Sequence, residues 1–199
     1  QLDLEQTRDL IGRAGYALTN SSKFDLIIRF FIEQGNYNMM DINTTNLYKV
    51  FRDFYTLTNI KIVLFNKNKS VLIAYPASSR EVQYDIPDSV TVLGSSAFKG
   101  CTSLRTVTMG KGLVTIGMEA FDDCTALANL TIGANVTTIE QDAFSYCTAL
   151  VSVTIPDSVT TMESGVFYHC SALSSVTLSE NLSAVGRYAF TGCTALTSI

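Results

Sequence analysis

The chain has 199 residues, of which 47% are hydrophobic and 16% are charged, and this composition excludes a disordered chain and allows a buried core. Its net charge of −4 is uneven, with +1 over residues 1–85 and −5 over residues 86–199, and the acidic second part argues against a nucleic-acid partner, which needs a basic face. We expect no transmembrane segment, because the sequence has no run of 18 uncharged apolar residues.

The first part of the chain has the apolar spacing of amphipathic helices. Asp3 and Gln6 form a capping-box pattern, and Ser22 and Thr45 are suitable N-caps for two later helices. The predicted helices are Leu4–Leu18, Lys23–Gln34 and Asn46–Leu57.

A β-hairpin is predicted to follow these helices. Two apolar runs, Ile60–Phe65 and Ser70–Tyr75, flank the polar stretch Asn66–Lys69. We interpret residues 1–80 as an N-terminal helical cap with a hairpin, because an elongated repeat needs its open end and unpaired strand edge covered. An independent sensing or binding role for these helices is the alternative.

The second part of the chain is an internal repeat with a period of 23 residues and no insertions. A period of this length is typical of a solenoid, in which stacked units share one core. The five units begin at Ile86, Met109, Ile132, Ile155 and Leu178. Phenylalanine occupies one position of every unit: Phe98, Phe121, Phe144, Phe167 and Phe190. Leucine occupies another: Leu104, Leu127, Leu150, Leu173 and Leu196. Such invariant apolar positions predict side chains that stack on their own counterparts.

The repeat follows the opening pattern of a leucine-rich repeat. From Leu127 the sequence reads L-x-x-L-x-I and continues to Asn135, and its alternating part predicts a short strand. The block I-P-x-x-V-T-x-I-G-x-x-A-F-x-x-C-T-x-L resembles the BspA-like leucine-rich repeats of bacterial and protist surface proteins. Three residues depart from this pattern: Val166 replaces alanine, and Glu140 and Glu163 replace glycine.

This resemblance implies the fold class. We expect an α/β-type solenoid: a leucine-rich-repeat right-handed superhelix of five 23-residue units with short strands, preceded by the N-terminal α-helical cap and hairpin. Residues 81–199 form the repeat domain in this interpretation, and Lys69–Pro76 resembles the lead-in to such repeats.

All five cysteines occupy one position of the repeat. Zinc needs four ligands that converge, whereas a spacing of 23 places the sulfurs in a row. Side chains on neighbouring coils, about 4.8 Å apart, are too distant for good disulfide geometry, and an odd number cannot pair completely. The favoured interpretation is a row of buried free thiols that fill the core: Cys101, Cys124, Cys147, Cys170 and Cys193.

The sequence contains no recognisable catalytic, metal or cofactor motif. The single histidine, His169, lies beside Cys170, but adjacent residues rarely form a nucleophile–base pair and no other unit has a histidine at this position. The pair Asp122–Asp123 occurs in one unit only, which argues against a repeated calcium site. We therefore expect no enzyme activity, no catalytic residue, no metal and no cofactor.

The strand of each unit predicts an exposed polar strip, because the positions flanking its central apolar residue point outward. These uncharged residues suit either a plain solvated sheet face or a docking strip for a protein or glycan. They are Thr106, Thr108, Asn129, Thr131, Ser152, Thr154, Ser175 and Thr177. We refer to these eight residues as the Thr/Ser strip.

The resemblance implies a secreted or cell-surface binding module that adheres to host or neighbouring-cell proteins, with host matrix as one such partner. The alternative is a structural spacer, a stalk segment of a larger surface protein without a specific ligand.

The fifth unit stops at Ile199 without a recognisable cap, which is expected either if the natural protein continues with more repeats or a cap, or if two chains bury their ends against each other. For this fragment we favour end-to-end pairing of its exposed core residues with a second copy of the chain. These residues are Leu178, Leu182, Val185, Phe190 and Leu196.

Overall fold

The structure, a computed structural model, describes residues 64–65 and 68–199. These residues form a parallel β-solenoid of short strands and turns. The three helices predicted before residue 58 lie outside the described residues. Within the described residues we find no helix with the length and apolar character that a membrane crossing requires.

Eleven strands occur in the described part of the chain. They are β1 (Leu64–Phe65), β2 (Val71–Ala74), β3 (Gln83–Asp85), β4 (Val92–Leu93), β5 (Thr106–Thr108), β6 (Thr115–Ile116), β7 (Asn129–Thr131), β8 (Thr138–Ile139), β9 (Ser152–Thr154), β10 (Thr161–Met162) and β11 (Ser175–Thr177). Each complete coil contributes one three-residue strand and one two-residue strand, so the strands form two separate ladders.

The two-residue strands belong to a six-stranded sheet in the order β1-β2-β4-β6-β8-β10. All neighbours in this sheet are parallel except β1 and β2, which are antiparallel and belong to the part of the predicted hairpin that the structure describes. The three-residue strands form a sheet of β3-β5-β7 and a pair of β9 and β11. Thr106 aligns with Asn129 and Ser152 aligns with Ser175, which is an offset of one 23-residue unit.

The segment after each two-residue strand is a series of tight turns. In every coil, two residues of this segment that are four positions apart have a left-handed backbone conformation. At the first position the residues with positive φ are Ser96, Glu119, Asp142, Gly165 and Tyr188, and at the second they are Gly100, Asp123, Tyr146, His169 and Gly192. A right-handed helix cannot include such residues.

Hydrogen bonding explains why this turn segment is stable without a helix. The backbone amides of Ala97, Lys99 and Cys101 close local turns. The amides of Phe98 and Gly100 donate to carbonyl oxygens of the next coil. One of these bonds joins the Phe98 amide to the Ala120 carbonyl at 2.7 Å. The backbone groups are therefore satisfied by stacking of the coils.

The predicted fold class is therefore wrong for the described residues. We expected an α/β-type solenoid with an N-terminal α-helical cap, whereas residues 64–65 and 68–199 form a parallel β-solenoid without a helix. The leucine-rich pattern predicted the strand correctly. The segment after each two-residue strand, however, consists of turns and not of a helix, because two of its residues in every coil have positive φ.

A stack of aromatic rings runs through the core. Neighbouring Phe rings from Phe98 to Phe190 are 4.9–5.7 Å apart between centroids and within 10° of parallel. Phe98, Phe121, Phe144 and Phe167 have no exposed surface. The predicted Phe and Leu positions thus form continuous buried rows, apart from the partly buried Phe190 and Leu196 of the last unit.

The stack continues before the first predicted unit. Tyr75 lies one repeat before Phe98, and their rings are 5.0 Å apart. Strands β2 and β3 pair with β4 and β5, the strands of the first unit. The count of five units was therefore short by one partial coil, in which tyrosine replaces phenylalanine.

All five cysteines are buried and free, as predicted. Four of their thiols also donate hydrogen bonds to the carbonyl oxygen of the phenylalanine 26 positions earlier, at 3.1–3.3 Å. They are Cys124, Cys147, Cys170 and Cys193. The row of thiols therefore links each coil to the one before it.

Candidate binding surfaces

The Thr/Ser strip lies on the three-residue strands β5, β7, β9 and β11. The parallel register places Thr108 beside Thr131 in one pair of strands, and Thr154 beside Thr177 in the other. Six of the eight side chains are exposed, and Thr106 and Ser175 are half-buried. Ser175 receives a hydrogen bond from Ser198, whose hydroxyl lies 3.2 Å away. The structure thus brings the predicted strip together as a polar surface.

Strand β3 extends this surface at one end with residues that the sequence analysis did not include. Gln83 aligns with Thr106, and Asp85 aligns with Thr108. Both side chains are exposed, and Asp85 adds a negative charge to an otherwise uncharged surface. They were missed because the strand lies before the first recognised 23-residue unit.

The turn segments form a second surface, which the sequence analysis did not predict. They enclose a shallow groove with a volume of about 640 Å³, and no residue of the Thr/Ser strip lines it. The groove combines carboxylates of the second and third units with tyrosines of the third to fifth units. We call it the aromatic–acidic groove and define it by Glu119, Asp122, Asp142, Tyr146, Tyr168 and Tyr188.

The aromatic side of this groove is a cluster of rings. The ring of Tyr146 is parallel to that of His169, with centroids 5.2 Å apart and an interplanar angle of 5°. The Tyr168 ring is nearly perpendicular to both, with its centroid 5.7 Å from that of Tyr146 and 4.3 Å from that of His169. Tyr146 is 40% exposed and Tyr188 is 67% exposed. The cluster therefore presents aromatic surface to a ligand.

The acidic side contains one internal ion-pair network. The Lys99 ammonium lies 2.5 Å from Glu119 and 2.9 Å from Asp122. Burial by itself would lower the pKa of Lys99, but its two carboxylate partners outweigh this effect and raise the pKa to about 12. Burial raises the pKa of Asp122, which is only 8% exposed, and Lys99 offsets part of that rise.

Asp142 has a different environment. Its Oδ2 accepts a hydrogen bond from the side-chain Nε2 of Gln141 at 3.0 Å, and no described lysine or arginine forms an ion pair with it. Its Oδ1 lies so close to Gly165 that a Cβ at that position would overlap it. The glycine thus leaves room for a carboxylate in the groove.

The chemistry of Cys170 and His169 is not that of a nucleophile and its base. The Cys170 thiol is buried and donates to the Phe144 carbonyl, whereas the His169 ring stacks on Tyr146. Burial raises the pKa of Cys170 to about 12, which disfavours the reactive thiolate. Among the described residues, no group of three His, Cys, Asp or Glu side chains could hold a metal ion.

Comparison with known protein families gives a match over most of the repeat. The model of the BspA type leucine-rich repeat region matches residues 74–197 in six copies. The first copy includes the partial coil that carries Tyr75. No curated protein matches the sequence.

Solved structures of bacterial leucine-rich proteins have a similar fold. A leucine rich cell surface protein from Faecalibacterium prausnitzii is 28% identical with a TM-score of 0.65, over 71% of this chain and 38% of that protein. The leucine-rich repeat protein of T. pallidum is 25% identical with a TM-score of 0.61, over 68% and 65% of the two chains.

The pneumococcal vaccine antigen PcpA is 28% identical with a TM-score of 0.61, over 68% of this chain and 34% of the antigen. The chain thus spans less than two thirds of the length of each of these three proteins.

Proposed function

The chain belongs to the BspA-type leucine-rich-repeat family, and from that premise we propose that it is a binding module outside the cell that adheres to proteins of a host or a neighbouring cell. Similar proteins are described as a cell surface protein and as a vaccine antigen, which supports a secreted or surface location. A repeat solenoid offers an extended surface for such binding.

The proposed docking surface is the Thr/Ser strip. The observation that carries this assignment is the parallel register, which aligns uncharged hydroxyl and amide side chains within two pairs of strands, β5 with β7 and β9 with β11. Hydroxyl and amide groups can donate and accept hydrogen bonds, so the strip can bind backbone or side-chain groups of a protein, or the hydroxyls of a glycan. An uncharged strip also has a low desolvation cost compared with a charged one.

A charged substitution in the strip tests this proposal. Purified matrix proteins and mucin are presented to the immobilised chain, to Thr154→Lys and to Thr161→Lys. Both threonines are exposed on short strands, but Thr161 belongs to β10 in the other ladder. We expect binding that Thr154→Lys weakens and Thr161→Lys preserves. Equal binding by all three proteins would contradict the strip as the docking surface.

The alternative function is a structural spacer within a longer surface protein. The absence of aromatic and arginine side chains among the eight strip residues favours it, since these types anchor most tight interfaces. A spacer would retain none of the matrix proteins or mucins in the same experiment.

We also propose that the last coils of two copies of this 199-residue chain pair end to end. Leu178, Leu182, Phe190 and Leu196 are only partly buried, and Val185 is 44% exposed. Light scattering over a concentration series should show a dimer if these side chains pack against a second copy. A monomeric mass throughout would contradict it.

A further inference from the structure

We propose that the aromatic–acidic groove is a second binding site, which takes an arginine- or lysine-containing segment of a partner protein. This site is on the turn segments and does not depend on the Thr/Ser strip. Either surface could bind while the other does not.

The first argument is the charge of the groove. Three carboxylates line it, and none of the described residues that line it is a lysine or arginine. Lys99 from the first unit neutralises part of the charge of Glu119 and Asp122, whereas no described cation pairs with Asp142. The surrounding units 86–199 carry a net charge of −5. Charge complementarity therefore favours a cationic occupant.

The second argument is the aromatic cluster next to these carboxylates. A cation beside a tyrosine ring is attracted by the negative face of that ring, and the guanidinium of arginine also stacks on it. Tyr188 is largely exposed, while Tyr146 has one ring face against His169. The long apolar stem of an arginine or lysine can cover the tyrosines while its head group reaches Asp142.

The third argument is that the fold does not require these aromatic residues. Tyr146, His169 and Tyr188 have φ values of 55°, 55° and 60°, a conformation that is costly for bulky side chains. Glycine occupies the equivalent positions of other units, as Gly100, Gly165 and Gly192. Three aromatic residues in consecutive coils thus occupy left-handed backbone positions at which other units carry glycine.

A cationic segment fits this combination better than a neutral glycan. Stacking of a sugar would use the exposed ring of Tyr188, but it would leave the Asp142 carboxylate without a counter-charge. A cation uses both features. The same reasoning excludes an anionic ligand, because the carboxylates would repel it.

The probe for this site is a capped, fluorescently labelled tetra-arginine peptide, titrated against the full 199-residue chain at low and high salt. Tetralysine, tetraglutamate and neutral maltohexaose are titrated in parallel. We expect saturable binding of tetra-arginine, weaker binding of tetralysine, no binding of tetraglutamate or maltohexaose, and a weaker affinity at high salt.

Two substitutions match the local backbone and should not disturb folding. Tyr146→Gly restores the residue found in the first and last units, and Asp142→Asn retains a side chain that tolerates positive φ. We expect each to weaken tetra-arginine binding by between about 2-fold and 30-fold. Glu180→Gln is the control, since it removes one exposed negative charge outside the groove. Thermal melting checks that all three variants are folded.

The proposal is overturned if tetra-arginine does not bind, if Glu180→Gln weakens binding as much as Asp142→Asn, or if maltohexaose binds instead. Thr154→Lys should leave peptide binding within a factor of about 2, so failure of the Thr/Ser strip as a docking surface is distinguishable from failure of this site.

Discussion

The thiol of Cys147 donates a hydrogen bond to the backbone carbonyl oxygen of Phe121, 3.3 Å away in the preceding coil. The same carbonyl accepts the Cys124 amide at 3.1 Å, so it has both a local and an inter-coil partner. The cysteine position thus joins the turn segment of one unit to the aromatic stack of the unit before it.

The cysteines should all be free and unreactive in the folded protein. Burial raises the pKa of Cys101, Cys147, Cys170 and Cys193, so little thiolate is present at pH 8. A thiol reagent should react slowly with the native chain and with close to five groups after unfolding without a reductant. The least buried of these thiols, Cys193, should react first. A final count of one or three would show that disulfides form.

Truncation in the Phe stack should destabilise the middle coil most. Phe144 has no exposed surface and lies between Phe121 and Phe167. Phe144→Ala should therefore lower the free energy of unfolding by about 3–5 kcal/mol. Phe190→Ala should cost less, because this ring is partly buried and stacks on one described neighbour, Phe167. Denaturant unfolding measures both, and equal losses would contradict a smaller contribution from the partly buried Phe190.

Gly94 and Gly117 occupy one position of the repeat, at which backbone crowding should disfavour a larger residue. A Cβ at Gly117 would overlap the Leu93 carbonyl oxygen, so Gly117→Ala should destabilise the fold by about 1–3 kcal/mol. At Gly94 the corresponding distance to the Leu72 oxygen is 3.2 Å, and Gly94→Ala should cost less. If thermal melting shows no difference between the two variants, crowding does not explain the glycine.

Glu140 replaces glycine at the same position of the next unit. Its carboxylate accepts a hydrogen bond from the Met118 amide at 2.9 Å, and Glu163 binds the Gln141 amide at 3.0 Å. Glu140→Ala should lower the free energy of unfolding by about 0.5–1.5 kcal/mol, and Glu140→Gln should retain most of this contribution. Denaturant unfolding compares the two, and an equal loss would exclude the hydrogen bond as the cause.

Loss of Lys99 should make stability depend more steeply on pH. Because the pKa of Asp122 is raised above 3.8 in the folded chain, the folded state binds more protons just above that pH, and stability falls as pH rises through the window. Lys99 lowers this pKa, so Lys99→Met should raise the pKa of Asp122 further and extend to higher pH the range over which stability falls.

The cost of Lys99→Met near neutral pH should be about 1 kcal/mol, since Lys99 is 40% exposed. Denaturant unfolding from pH 4 to pH 8 measures it. Lys111→Met, which removes an exposed lysine, is the control. Parallel pH profiles for the two variants would contradict the role of Lys99 beside Asp122.

The repeat predicted a large part of the fold from the sequence. The invariant Phe, Leu and Cys positions predicted the buried rows, and the alternating L-x-L stretch predicted the strand that carries the Thr/Ser strip. The prediction failed for the turn segments, which were expected to contain the helices of an α/β-type solenoid. Residues such as Ser96, Glu119 and Tyr188 give no compositional signal of positive φ, because only Asp142 and Gly165 in that row are residue types that favour this conformation.

The sequence by itself determined which positions of the repeat face the core, because a core position repeats every 23 residues and each repetition reinforces the pattern. The tertiary structure alone decided the aromatic–acidic groove. Asp142, Tyr168 and Tyr188 belong to three units, and the residue type at their two repeat positions changes from unit to unit, so no invariant pattern marks them. They come together because the stacked coils place the turn segments of successive units side by side, so that residues of different units line one groove.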